Sequence, residues 1–158
     1  AVLAANPDSP VKILLDGSQP VTAFIPNDRA FQVLVGDLTG KWYGFVKFDE
    51  AKVFGAVASL GIPVVEQVLL YHVVAGATID SATALGANGA DLTTAQGGTF
   101  RVNVVWPFFK WIVLEDQDRD DFDPFIVTSK FDINKGNPQI AHGIGLVLRP
   151  LDVESLLR

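Results

Sequence analysis

The stretch 22–31, TAFIPNDRAF, switches from strand chemistry to helix chemistry at a single proline. Val21, Ala23, Phe24 and Ile25 around Thr22 form a compact apolar run, which predicts a buried strand closed by Pro26. Asn27 follows, and its short amide side chain can accept the first free N–H groups of a helix. Asp28 adds negative charge at the positive end of the helix dipole. Ala30, Phe31, Leu34, Val35 and Leu38 then recur at three- and four-residue spacing, the pattern of one buried helical face. A strand thus feeds directly into an amphipathic helix.

Upstream, residues 1–5 read as a helical tail stopped by Asn6-Pro7, because a proline disfavours helical geometry in the residue before it. A helix that starts at residue 1 without a cap is expected to be the remainder of a longer first helix. Residues 11–15 predict a short apolar helical turn ended by Asp16-Gly17. Downstream, the aromatic-rich stretch 41–48 reads as a connection. Asp49 can cap a helix running to Leu60, with Val53, Phe54, Val57 and Leu60 inward and Gly61 as its stop. Pro63 opens another helix in the first turn, where a missing donor costs nothing. Val64, Val68, Leu69 and His72 are expected on its core side, before Val73-Val74 and a turn at Gly76.

From Ala77 the period changes. Residues 90–95, 99–106, 111–115, 125–130 and 144–149 are short β-branched or aromatic runs bounded by turn residues, and each predicts a strand. Helices first and strands afterwards imply an α+β domain with an antiparallel sheet system. At 158 residues the chain fits one domain. Apolar residues at 49% and charged residues at 19% place it among globular and not disordered chains.

The formal net charge of −6 repels phosphate backbones and argues against nucleic-acid binding. With no cysteine, disulfides, thiolate metal sites and cysteine nucleophiles are excluded. Methionine is also absent, as after cleavage of a signal peptide or trimming of the N-terminus. No apolar run approaches the ~18 residues of a membrane-spanning helix.

Three stretches, in this order, resemble the fasciclin I family of extracellular adhesion domains. They are TAFIPNDRAF at 22–31, LLYHVVAG at 69–76 and IAHGIGLVLRP at 140–150. The resemblance runs over nearly the whole chain, treated as a single domain 1–158. It implies a wedge of two β-sheets decorated by helices, with helices mainly N-terminal and antiparallel strands mainly C-terminal. It further implies a secreted, periplasmic or cell-surface module that contacts a protein or glycan, or a second copy, with no cofactor and no catalysis. Two features depart from the family pattern. Asn137-Pro138-Gln139 stands where an asparagine-glycine turn is usual, and 106–111 with 115–123 look like added hairpin material.

By resemblance, Tyr71-His72 and Asp132-Ile133 occupy the family's adhesive segments. The residues also allow a structural reading. Tyr71 and His72 can be core rings with one satisfied polar atom, costing about 2–4 kcal/mol on truncation to alanine. Alternation through FIVTSKFDI would expose Asp132 and bury Ile133. His72 and His142 lack the close helical spacing of a metal pair. Asp116, Asp118, Asp120 and Asp123, with Asp121, alternate as in calcium loops, but the glycine and glutamate places of an EF-hand hold Asp121 and Val127. A solvated loop, its charge partly offset by Arg119, is the competing reading, and calcium or carbohydrate binding is the alternative function.

Trp106, Phe108, Phe109 and Trp111 bracket Pro107 and Lys110. Alternation from Phe100 places Trp106 on the core side. Phe108, Phe109 and Trp111 cannot all follow it inward, so at least one is expected exposed as a contact site. A second small core beneath 41–48 is the competing arrangement.

Overall fold

A computed structural model describes residues 1–40, 49–109 and 111–151. The expected connection at 41–48, and any core formed beneath it, lie outside the described residues. The chain begins with α1 (Val2–Ala5), a 3₁₀ turn (Pro10–Lys12) and α2 (Ile13–Asp16), then enters β1 (Val21–Pro26). Asn27 caps α3 (Asp28–Thr39), its side-chain oxygen accepting the Ala30 N–H at 2.9 Å. Gly40 ends that helix at φ +62°, a left-handed geometry that glycine adopts without a Cβ penalty. Asp49 caps α4 (Glu50–Ala58) through the Lys52 N–H, and Pro63 sits in the first turn of α5 (Ile62–Tyr71). β2 (Val73–Ala75) and α6 (Ser81–Gly86) complete the first half.

The second half is a meander of β3 (Asp91–Thr93), β4 (Thr99–Trp106) and β5 (Trp111–Glu115), followed by β6 (Gln139–Ile144). Two three-stranded sheets result, ordered β2-β1-β6 and β3-β4-β5. The fold is α+β, with two small sheets and flanking helices. The first sheet is mixed: β1 pairs antiparallel with β2 but parallel with β6, from Val21↔Gln139 to Pro26↔Ile144. A parallel pair needs a long crossover, and here the second sheet lies within it.

Two expected strands are redrawn. Residues 125–130 make only bridge contacts, Val113↔Phe125 and Ile126↔Ile144, before a 3₁₀ turn (Thr128–Lys130). The last strand lies at Gln139–Ile144, earlier than the expected 144–149, because pairing with β1 fixes its register. These bridges join the two sheets, and a Cβ on Gly145 would lie 2.4 Å from Phe125 Cζ. That ring therefore requires glycine beneath it.

The main core lies between the sheets and includes Phe24, Tyr71, Phe100, Val102, Ile112, Leu114, Ile144 and Leu148. Phe100 meets Phe24 edge-on at 5.2 Å and Tyr71 at 6.1 Å, geometries that aromatic quadrupoles favour. Smaller clusters form around Ala30, Leu34 and Val147, and around Val2, Val11 and Leu70. This last cluster corrects the phase of α5. Leu70 is buried against the N-terminal segments, whereas Leu69, expected inward, is exposed. Phe54 is likewise exposed, and α4 buries no residue fully. Among the described residues, no single helix is long and apolar enough to cross a membrane.

Candidate functional site

Tyr71 ends α5 with no exposed surface, and its hydroxyl donates to the Thr99 carbonyl at 2.6 Å. Burial first, then the nearby Asp116 carboxylate, push that hydroxyl above its ordinary range, so it remains a donor. His72 is also buried and is satisfied on both nitrogens. Its Nδ1–H donates to Val68 O at 2.7 Å, and Nε2 accepts the Leu148 N–H at 2.9 Å. The second contact requires an unprotonated Nε2. Burial lowers the imidazole pKa to about 4, partly opposed by the bond to Val68. The pair thus ties the end of α5 to β4 and to the closing segment.

His142 has no exposed surface either. It accepts the Asp132 N–H at Nδ1, 3.3 Å, and donates from Nε2 to Ile79 O, 2.8 Å. The two histidines are held in separate networks, and no group of three or more metal-type ligands occurs among the described residues. Asp132 and Ile133 reverse the expected alternation. Asp132 takes φ +56° and turns its carboxylate onto Ser81, accepting from N–H at 2.7 Å and Oγ at 2.6 Å. Ile133 is left exposed, because the left-handed residue before it breaks the two-residue period.

The acidic stretch is solvated only in part, with Arg119 and Asp120 exposed. Asp118 is buried, and the cation it meets is Arg149, not the neighbouring Arg119. The Arg149 guanidinium, itself buried, lies 2.5 Å from Asp37, 2.5 Å from Asp121 and 3.5 Å from Asp118. The Arg149 N–H donates to Asp116 at 2.8 Å, and its carbonyl accepts the Gln117 N–H at 3.3 Å. One arginine thereby fastens the hairpin loop, the end of α3 and the chain after β6. The only sequence signal for it is a lone charge in the apolar run GIGLVLRP.

Burial raises the Asp116 pKa to about 7, against the N–H groups of Arg149 and Asp118 and with Asp123 and Asp118 adding repulsion. Because Arg149 already fills the carboxylate cluster, millimolar calcium should leave the melting temperature unchanged. A site occupied at a hundredfold over its dissociation constant would add ~2.7 kcal/mol. A rise of several degrees that Asp118→Asn abolishes would show calcium binding instead.

At the hairpin end, Phe108, Phe109 and Trp111 are all exposed, and so is Trp106, which alternation had placed inward. A register shift between Val104 and Trp106 takes that ring off the buried face. The neighbouring β3 pairs with β4 only at 99–101, so it gives no cover there.

A concavity among the described residues lies elsewhere, on the outer face of the first sheet. It is a groove of about 410 Å³, floored by Val21, Ala23, Ile25 and Ala141 and walled by Phe31, Val68 and Leu69. Asn134 and Gln139 stand at one side, and the backs of Val73 and His72 close it below. Strand alternation sends Thr22 and Phe24 into the main core, leaving Ala23 and Ile25 on this second face, only partly covered by helices.

Two buried histidines, each bonded on both ring nitrogens, and an apolar groove open to solvent characterise this face of the fold. The fasciclin-domain family model matches residues 8–150, and the chain belongs to that family. A fasciclin domain is in general a non-catalytic adhesion-type module. No curated protein matched the chain.

Proposed function

We propose that this domain is an adhesion module acting outside the cytoplasm, at a cell surface or in a matrix, and that it holds a protein partner through the apolar groove. The carrying observation is the groove on the outer face of β1 and β6, with Ile25 and Leu69 exposed among its lining residues. An apolar trough accepts hydrophobic side chains of a peptide segment and offers few partners for sugar hydroxyls. A protein ligand therefore fits it better than a glycan. Tyr71 and His72 act beneath this surface by fixing α5, while Asp132 fixes the turn that presents Ile133 and Asn134 beside the groove. No catalytic step is assigned.

Beads coated with the domain should adhere to partner-bearing cells, and mild protease treatment of the cells should remove adhesion while glycosidase treatment leaves it. Leu69→Glu should abolish adhesion with little change in melting temperature, because residue 69 is already exposed. Adhesion that survives protease but not glycosidase would favour a glycan. Full adhesion by a folded Leu69→Glu variant would remove the groove from the account.

A further inference from the structure

β4 alternates buried and exposed side chains as far as Val104, and beyond it the alternation stops. Val105 is 63% exposed, Trp106 57%, Phe108 90%, Phe109 66% and Trp111 49%. The register shift at Val105 brings Trp106 opposite Trp111 on the face turned away from the core, where Trp111 stacks on Phe125 at 5.8 Å. The last cross-strand pair is Trp106↔Trp111, with the 3₁₀ turn Pro107–Phe109 beyond it. Trp106 packs edge-on against Phe109 at 5.4 Å, a contact within the tip itself.

Charge is distributed to match. Of the chain's 18 acidic residues none lies between 102 and 114, and Lys110 is the only charged residue there. The nearest charged rung is Arg101 opposite Glu115. At ~3.3 Å per residue this rung stands roughly 13 Å below Trp111, and the bare zone from Val105 to the turn is roughly 7–10 Å deep.

Phe108 and Phe109 lie beyond the last strand pair, so these rings stand at the very end of the ribbon and can enter a soft medium end-on. Tryptophan favours the headgroup level of a bilayer, and phenylalanine sits deeper. Interfacial elements bury about 5–10 Å into the headgroup–acyl boundary, which matches the depth of the bare zone.

We propose that the aromatic end of the β4–β5 hairpin inserts into the interfacial region of a lipid bilayer and docks the domain peripherally on a zwitterionic membrane. The net charge of −6 repels strongly anionic surfaces, so the apolar tip and not general electrostatics drives binding. This surface is separate from the groove, and the two readings fail independently.

The test uses the full chain with phosphatidylcholine vesicles, in flotation and by tryptophan emission. The wild type should float with the vesicles, its emission should shift to the blue, and lipids brominated high on the acyl chain should quench it. Phe108→Ser with Phe109→Ser should lower the partition coefficient at least tenfold at an unchanged melting temperature, and added phosphatidylserine should weaken wild-type binding. Absence of flotation at millimolar lipid, or equal flotation by the double variant, would overturn the proposal. So would a large fall in melting temperature, which would make the rings core. Self-association without lipid that the double variant abolishes would also overturn it, since a second copy would then cover the tip.

Discussion

Arg149→Leu should destabilise the domain by about 3–5 kcal/mol at neutral pH, because it leaves the carboxylates around a buried cation without a partner. Asp118 is the worst placed of these, since it is itself buried. Asp37 and Asp121 retain some solvent and can partly rehydrate. For a chain of this size the loss corresponds to a fall in melting temperature of roughly 6–20 °C. One further measurement separates this cause from lost packing. Arg149→Lys should recover only part of the loss, since one ammonium cannot span Asp37 on one side and Asp121 on the other. A variant as stable as the wild type at pH 7 would show that the cluster contributes nothing net.

The second large effect is an acid instability traced to His72. Its folded pKa, about 4, lies below the ordinary value of 6.5. The unfolded chain therefore takes up a proton as pH falls through 6.5, while the folded chain does so only near 4. Stability is present in full above pH 6.5 and is lost across that window, by about 3 kcal/mol. Asp116 works in the opposite sense. Its folded pKa, about 7, lies above the ordinary 3.8, so its favourable contribution is complete below 3.8 and is lost as pH rises through 7.

The wild type should thus show a shallow dependence between pH 4 and 7, as two opposed slopes. Asp116→Asn should uncover a clear fall in stability on acidification, and His72→Gln should leave a clear rise. Melting temperatures at half-unit steps of pH will show this. Parallel curves for all three proteins would refute the assignment of both groups.

Much of the local structure is legible in the sequence because its causes are local. Asn27, Asp49 and Pro63 lie within a few residues of the groups they serve, and each does what its position predicts. The three family stretches lie on β1 and the start of α3, on the end of α5 with β2, and on β6 with the chain after it. These segments build the first sheet and reach the main core. What was not legible depends on pairing across long separations or on broken periods. The parallel β1–β6 register places Val21 opposite Gln139, and Arg149 reaches Asp37 across 112 residues. Neither has a sequence period.

Trp106 and Ile133 depart from strand alternation for a shared reason: the two-residue period ends at a register shift in one case and at a left-handed residue in the other. Leu69 differs from its expected inward position because α5 packs on two sides: Leu70 meets the N-terminal segments and Leu69 borders the groove. The groove itself combines residues from β1, β6, α3 and α5, and only the packed fold brings these together.

Tyr71 has no surface with which to touch a partner, whereas Leu69, two residues earlier on the same helix, is open at the groove. Adhesion strength measured beside melting temperature for Tyr71→Phe and Leu69→Glu therefore tests the account most directly. Tyr71→Phe should lose the hydrogen bond to Thr99 and about 1 kcal/mol of stability while adhering as strongly as the wild type. Leu69→Glu should keep its stability and lose adhesion. The reverse, a stable Tyr71→Phe that no longer adheres beside a Leu69→Glu that does, would contradict the central claim.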